Sequence, residues 1–212
     1  MPAVGDLARE CPLILFGVSV AQALDEMDAL AAARNLDVVE LWSGVESVTR
    51  AARATGFRAT SFDLVRVPGV TDVGGPGSED ITTAVGFRKA LSYVARLRPG
   101  GLLAEAPVCS SFVFPNSSNT KRKRDNIAGD LKYPPVQLGN LMANIAAFFL
   151  VVACARGVHG FLENPAGSLM FHFLQPVLRH LPFLHAGRGW GKGVLTNSIV
   201  FAHRHSSSAA VH

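Results

Sequence analysis

From Asp37 to Glu163 the chain alternates short apolar runs with stretches of helical spacing, a pattern satisfied by a parallel sheet whose crossovers are helices. Val38 to Trp42 reads as a strand, Glu46 to Thr55 as a helix closed by Gly56, and Arg58 to Asp63 as a second strand. A loop rich in Pro and Gly runs from Pro68 to Ser78. A helix then covers about Thr83 to Leu97 and stops before Pro99-Gly100-Gly101, and Gly101 to Ala106 forms the next strand. Pro134-Pro135 opens a helix that runs to about Arg156, Val158 to Glu163 is another buried strand, and a last helix spans Ser168 to His180. Beyond it Gly187, Gly189, Gly191 and Gly193 interrupt the pattern, and Val194 to Ala202 reads as a final strand. The expected class is α/β, a mostly parallel sheet with helices on both faces.

A chain of 212 residues with 49% hydrophobic and 17% charged residues suffices for one well-buried domain and is short for two. Residues 1–35 read as a helical preface, with Leu24, Met27, Leu30 and Ala31 at helical spacing, expected to pack across the sheet. Residues 36–205 form the α/β domain, and 206–212 carry no structural signal and read as a flexible tail. Cys11, Cys109 and Cys154 are odd in number and widely spaced, which argues against a disulfide framework or a Cys-x-x-Cys metal site. A reducing compartment follows, so the expected location is intracellular, nuclear or cytoplasmic. The apolar run Pro12 to Val20 is preceded by Asp6 and Glu10, unlike a secretory signal. Leu141 to Ala155 contains Asn144 and is short for a membrane span, so a buried helix and no membrane partner are expected.

The chemistry-bearing residues gather at the ends of the expected strands, where an open α/β sheet binds its ligands. Ser43-Gly44-Val45-Glu46 follows the first strand and opens a helix, so small residues and free N–H groups let a ligand approach closely. Ser43 and Glu46 also have capping-box spacing. Asp63, nineteen residues after Gly44, ends the next strand, where a carboxylate can accept from ribose hydroxyls or simply form a turn. Asp80-Ile81 before the third helix offers another ligand contact or an N-terminal cap. Trp42 can pack on an adenine or in the core. His203 and His205 lack a neighbouring carboxylate or thiol and make a poor metal set, so no metal is expected.

Phe114 to Tyr133 is a polar, basic stretch of twenty residues without periodicity, long enough to be a lid or binding loop. Within it Lys121-Arg122-Lys123-Arg124 places four positive charges together in a chain of net charge +4. These residues read as phosphate contacts or a nuclear address, with a solvated basic loop as the plain alternative. No Gly-x-Ser-x-Gly elbow or Walker loop is present to support a hydrolase or nucleotidase reading.

Taken in order, Glu40-Leu41-Trp42-Ser43-Gly44, Asp63, Asp80-Ile81, Pro107-Val108-Cys109 and Glu163-Asn164-Pro165 resemble the DNA cytosine-5 methyltransferase family over roughly residues 37–167. That family uses S-adenosylmethionine on a Rossmann-like fold. Its fourth motif reads Gly-Gly-Pro-Pro-Cys-Gln-x-Phe-Ser and its sixth Glu-Asn-Val; the stretch here is Glu105-Ala-Pro-Val-Cys-Ser-Ser-Phe-Val113. Gly139-Asn140-Leu141 sits where the family has Arg-Gly-x-Leu, with Leu138 in place of the arginine.

The resemblance implies that Cys109 adds to C6 of cytosine, that Glu163 holds the ring nitrogen and that Asn164 orients Glu163. It also implies that Leu41, Trp42, Ser43, Gly44, Asp63, Asp80, Ile81 and Pro107 surround S-adenosylmethionine. The target base would be flipped out of any duplex. Three departures mark this chain: Val108 for proline, Ser110 for glutamine, and no counterpart of the later Gln-x-Arg-x-Arg motif or target-recognition region after Gly167. Nucleic-acid binding, whether to DNA or RNA, would then fall largely to Lys121, Arg122, Lys123 and Arg124 through phosphate contacts. The alternatives are a catalytically degenerate module that binds cofactor or nucleic acid, and a methyltransferase with a small-molecule acceptor.

Overall fold

The computed structural model describes residues 8–29, 34–64, 79–165, 167–178, 184–191 and 194–201. The Pro68–Ser78 loop, the 206–212 tail, and Leu30, Ala31, His203 and His205 lie outside them. A two-stranded ribbon, β1 (Ile14–Leu15) and β2 (Val18–Ser19), leads into α1 (Val20–Ala29). The main sheet contains β3 (Leu36–Leu41), β4 (Ala59–Phe62), β5 (Leu97–Glu105), β6 (His159–Pro165), β7 (Leu184–Gly191) and β8 (Val194–Phe201). Its order is β4-β3-β5-β6-β8-β7. The first four strands are parallel, whereas β8 runs antiparallel to β6, and β7 antiparallel to β8. The architecture is therefore α/β, built on a four-strand parallel sheet flanked by helices.

Strand order fixes where the helices go. β3 steps outward to β4, and the chain then returns past β3 to reach β5. Because parallel crossovers are right-handed, α2 (Ser47–Ala54) and α3 (Ala84–Ala95) fall on opposite faces. The crossover from β5 to β6 runs in the same direction as that from β4 to β5, so α5 (Pro134–Ala155) shares the face of α3. All six residues of β3 are buried, as a strand covered on both faces requires.

The core lies under α5, where every residue from Ile145 to Cys154 is buried. The Phe87 ring of α3 lies 5.2 Å from both Phe148 and Phe149, centroid to centroid, in tilted or edge-on contact. α5 is long and apolar enough to cross a membrane, but 67% of its most apolar window is buried in the domain, as in a core helix. The preface joins the same core: Val20, Ala23, Leu24 and Met27 are buried, Phe16 stacks 5.2 Å from Phe87, and α1 packs on α3 and α5.

Three elements differ from the sequence expectation. β5 starts at Leu97, so Pro99-Gly100-Gly101 lies inside it, at the register shift between Leu36–Leu97 and Val38–Leu102. Gly100 takes φ 77°, and a Cβ on Gly101 would lie 2.9 Å from the Asp37 carbonyl oxygen, so these glycines shape an irregular strand entry. β7 was not expected, because Gly187, Gly189 and Gly191 read as interruptions; at period two they fall on one face of a strand. The polar segment after Phe112 is also organised, with a 3-10 turn (Phe114–Asn116), a short α4 (Ser117–Thr120) and a Lys123–Asn126 bridge.

Candidate functional site

The chain leaves β3 in one direction for β4 and is found on its other side in β5. That reversal opens a crevice outside the carboxyl ends of β3 and β5, the ligand position in open α/β sheets. Leu41 pairs with Glu105, and Glu105 with Leu162, so the segments bearing Trp42, Cys109 and Glu163 leave the sheet at the same end.

At the end of β3 the backbone turns sharply. Trp42, Gly44 and Glu46 all have positive φ, at 54°, 52° and 57°, a costly conformation for a bulky residue such as Trp42. The Asp63 carboxylate accepts from the Gly44 N–H at 2.6 Å and joins the ends of β3 and β4. Sequence spacing therefore brings Gly44 and Asp63 together, and the carboxylate expected to face ribose also shapes the loop. A Cβ built on Gly44 would meet nothing within 4 Å, so the space above this turn is open.

The Ser43–Glu46 capping box is not formed. Glu46 is the N-cap residue without a side-chain cap bond, and its carboxylate takes the Ser61 hydroxyl at 2.5 Å. The first turn of α2 is capped from the sheet instead: Glu40 accepts from Val48 N at 3.2 Å and Thr49 N at 2.7 Å. A buried carboxylate on a helix N-terminus is well compensated.

Asp80 and Ile81 precede α3. Asp80 accepts from the Thr82 amide at 2.9 Å and the Thr82 hydroxyl at 2.6 Å, while Thr83 rather than Asp80 caps the helix through Gly86 N. Ile81 is buried. A Cβ on Gly86 would lie 1.9 Å from the Asp80 carbonyl oxygen, so glycine lets the helix seat directly on this turn.

The Cys109 loop is fixed from three sides. Pro107 is buried, and its carbonyl accepts from Asn164 Nδ2 at 3.1 Å. Phe112 N donates to the Cys109 carbonyl at 2.8 Å, and Leu169 N to the Phe112 carbonyl at 3.0 Å. Against α5, Gly139 leaves room for Ser111: an added Cβ would fall 2.0 Å from the Ser111 hydroxyl. Asn164, expected to orient Glu163, is thus engaged with the Cys109 loop.

Arg122 departs from the surface role suggested by the basic run. It is 3% exposed. Its guanidinium lies 3.7 Å from the Phe112 ring centre and donates to the Ile127 and Val136 carbonyls, the Ser111 hydroxyl and Asn140 Oδ1. Burial lowers its pKa to about 10. Lys121, Lys123 and Arg124 remain exposed; Lys121 donates to the Ser118 carbonyl and Lys123 pairs with Asp125 at 3.1 Å.

Cys109 is a free, half-buried thiol. Burial raises its pKa, its own backbone amide lowers it, and the Glu163 charge raises it again. Burial also raises the pKa of the Glu163 carboxyl above its ordinary value.

Sequence reasoning missed Glu105. Its carboxyl is 1% exposed at the end of β5, neither oxygen makes a hydrogen bond, and desolvation raises its pKa well above the ordinary value. Trp42 Nε1 and Asn164 Oδ1 are also buried without partners. Buried polar groups in folded proteins are nearly always satisfied, so three such side chains at adjoining strand ends fit a polar ligand. A signal was present in the sequence: a carboxylate closing the apolar run Leu102-Leu103-Ala104 is out of place unless it has a partner. Among the described residues no group of three His, Cys, Asp or Glu is placed to hold a metal. No family model, curated protein or solved structure matches this chain.

Proposed function

We propose that this chain is a methyltransferase of the cytosine-5 type, using S-adenosylmethionine to modify a base in nucleic acid. The observation that carries the reading is the arrangement at the switch point. The Asn164–Pro107 hydrogen bond joins the strand bearing Glu163 to the loop bearing Cys109, at strand ends where Trp42 Nε1, the Glu105 carboxyl and Asn164 Oδ1 are buried atoms without a hydrogen-bond partner. The strand order with its antiparallel edge pair is compatible with the Rossmann-like methyltransferase plan.

On this reading Trp42, Ser43, Gly44, Asp63 and Asp80 would contact the cofactor, with the buried Leu41, Ile81 and Pro107 shaping the site from behind. Trp42 Nε1 offers a donor to a carboxylate, and Glu105 offers acceptors to an ammonium group. When bound, S-adenosylmethionine supplies an electrophilic methyl group. Cys109 would give its thiol proton to solvent and add Sγ to C6 of the base while Glu163 gives its proton to the ring nitrogen, which makes C5 nucleophilic enough to accept that methyl. The C5 proton would then pass to solvent water as the C6–S bond breaks and releases the thiolate, and the ring nitrogen would return its proton to Glu163. Asn164 holds the Cys109 loop against β6 during these steps through its bond to Pro107.

Titration calorimetry with S-adenosylmethionine tests the cofactor site, with Asp63→Ala and Glu105→Gln as comparisons. Saturable binding weakened by both substitutions supports the reading; absence of binding by the folded chain removes it. A second reading, a module that binds without transferring, is favoured by one observation: burial of the half-buried Cys109 raises its thiol pKa and so disfavours the nucleophilic thiolate. Methyl transfer from labelled cofactor, lost in Cys109→Ala, separates the two.

A further inference from the structure

A groove of about 320 Å³ runs beside the candidate reaction centre, lined by Phe112, Phe114, Ser117, Lys123, Arg124 and Leu169, among others. This is the lower end of the size range for small-ligand sites, roughly 300–1,000 Å³. Its walls are continuous with both reactive loops, since Phe112 hydrogen-bonds the Cys109 carbonyl and Leu169 hydrogen-bonds Phe112. The floor is rigid, with the buried Arg122 guanidinium stacked on the Phe112 ring.

The exposed groups are of two kinds. Phe114 is 84% exposed, an unusual state for a phenylalanine. Beside it Lys123 and Arg124 are exposed cations. Lys123 pairs with Asp125, but that pair is solvent-exposed on both sides and so gives way readily to a phosphate. An aromatic platform flanked by cations suits a polyanion whose π-faces are accessible. A duplex hides those faces in its stack, whereas a single strand presents them.

We infer that this groove binds single-stranded nucleic acid, with one base stacked on Phe114 and adjacent phosphates on Lys123 and Arg124. The site rests on the nucleic-acid part of the proposed function, deepens it by naming the form of the substrate, and does not depend on methyl transfer. Phe112, which lines the groove, is hydrogen-bonded to the Cys109 carbonyl, so a strand held there would approach the Cys109 loop without any duplex to open.

The test is fluorescence anisotropy of the full chain with a labelled oligothymidine, which contains no cytosine, in the absence of cofactor. A duplex of equal length and polyglutamate serve as competitors. The single strand binds more tightly than the duplex, and Phe114→Ala weakens it about tenfold. Lys123→Gln with Arg124→Gln reduces the slope of log affinity against log salt by about 1.4, as expected for two lost phosphate contacts. Circular dichroism verifies that these surface variants fold. Equal binding of duplex and single strand, no effect of Phe114→Ala, or equal competition by polyglutamate overturns the inference. Single-strand binding without methyl transfer leaves the groove standing and removes the proposed reaction; methyl transfer to a duplex without preference for the single strand removes the groove and leaves the reaction standing.

Discussion

The side-chain amide of Asn164 donates to the Pro107 carbonyl over 3.1 Å, in a setting where Asn164 is fully buried. One hydrogen bond thereby ties the strand that carries Glu163 to the loop that carries Cys109. Replacing Asn164 by alanine leaves the buried Pro107 carbonyl without this donor and is expected to cost about 1–3 kcal/mol of unfolding free energy. Urea denaturation measures that loss. Methyl transfer should fall further than cofactor affinity, because the loop that is released bears the thiol.

Gly139 and Ser111 make a second coupling. Gly139→Ala puts a methyl 2.0 Å from the Ser111 hydroxyl and 3.0 Å from its Cβ, too close for either residue to remain in place. Overpacking of this kind costs about 1–3 kcal/mol. Adding Ser111→Gly should restore most of the stability, and a double-mutant cycle by denaturation reads the coupling directly.

Arg122 is a structural residue within a basic run. Arg122→Gln removes the stacked cation and several hydrogen bonds from a buried site and is expected to destabilise by about 3 kcal/mol, whereas Lys123→Gln next to it should change stability by less than about 0.5 kcal/mol. Thermal denaturation of the two variants gives the contrast.

These examples show where the sequence was legible. Apolar runs and helical spacing located β3, β6, α3 and α5, and β4 was placed by its position in the strand–helix alternation between Gly56 and Asp63. The alternation also brought Asp63 to Gly44, since strand-end spacing follows from the βαβ repeat. The partners that arise only in three dimensions were not legible. Glu40 capping α2 from the sheet, Asn164 reaching back to Pro107, and Arg122 folding inward onto Phe112 all join residues whose meeting depends on packing rather than on local pattern. Glycines had opposite meanings at different places: Gly56 ended a helix as expected, while Gly100, Gly101, Gly187, Gly189 and Gly191 lie within strands.

Glu105 predicts a pH dependence. Its folded pKa is raised by burial, so the folded chain holds a proton that the unfolded chain gives up. Stability from this group is fully present below the unfolded value and is lost as pH rises through the raised folded value. Glu105→Gln should therefore flatten the decline in melting temperature with rising pH and leave the variant more stable than the parent once pH exceeds the raised value. Melting curves from the ordinary carboxylate range upward measure it; parallel profiles for the two proteins would contradict the assignment.

The central claim is that Cys109 is a nucleophile toward a pyrimidine base. Intact-mass spectrometry after incubation with S-adenosylmethionine and a single-stranded oligonucleotide containing 5-fluorocytosine tests it, because fluorine at C5 prevents the departure that would release the thiol. The account predicts a covalent protein–oligonucleotide adduct in the parent chain and none in Cys109→Ala. An unmodified parent mass under conditions where both cofactor and oligonucleotide are bound would contradict it.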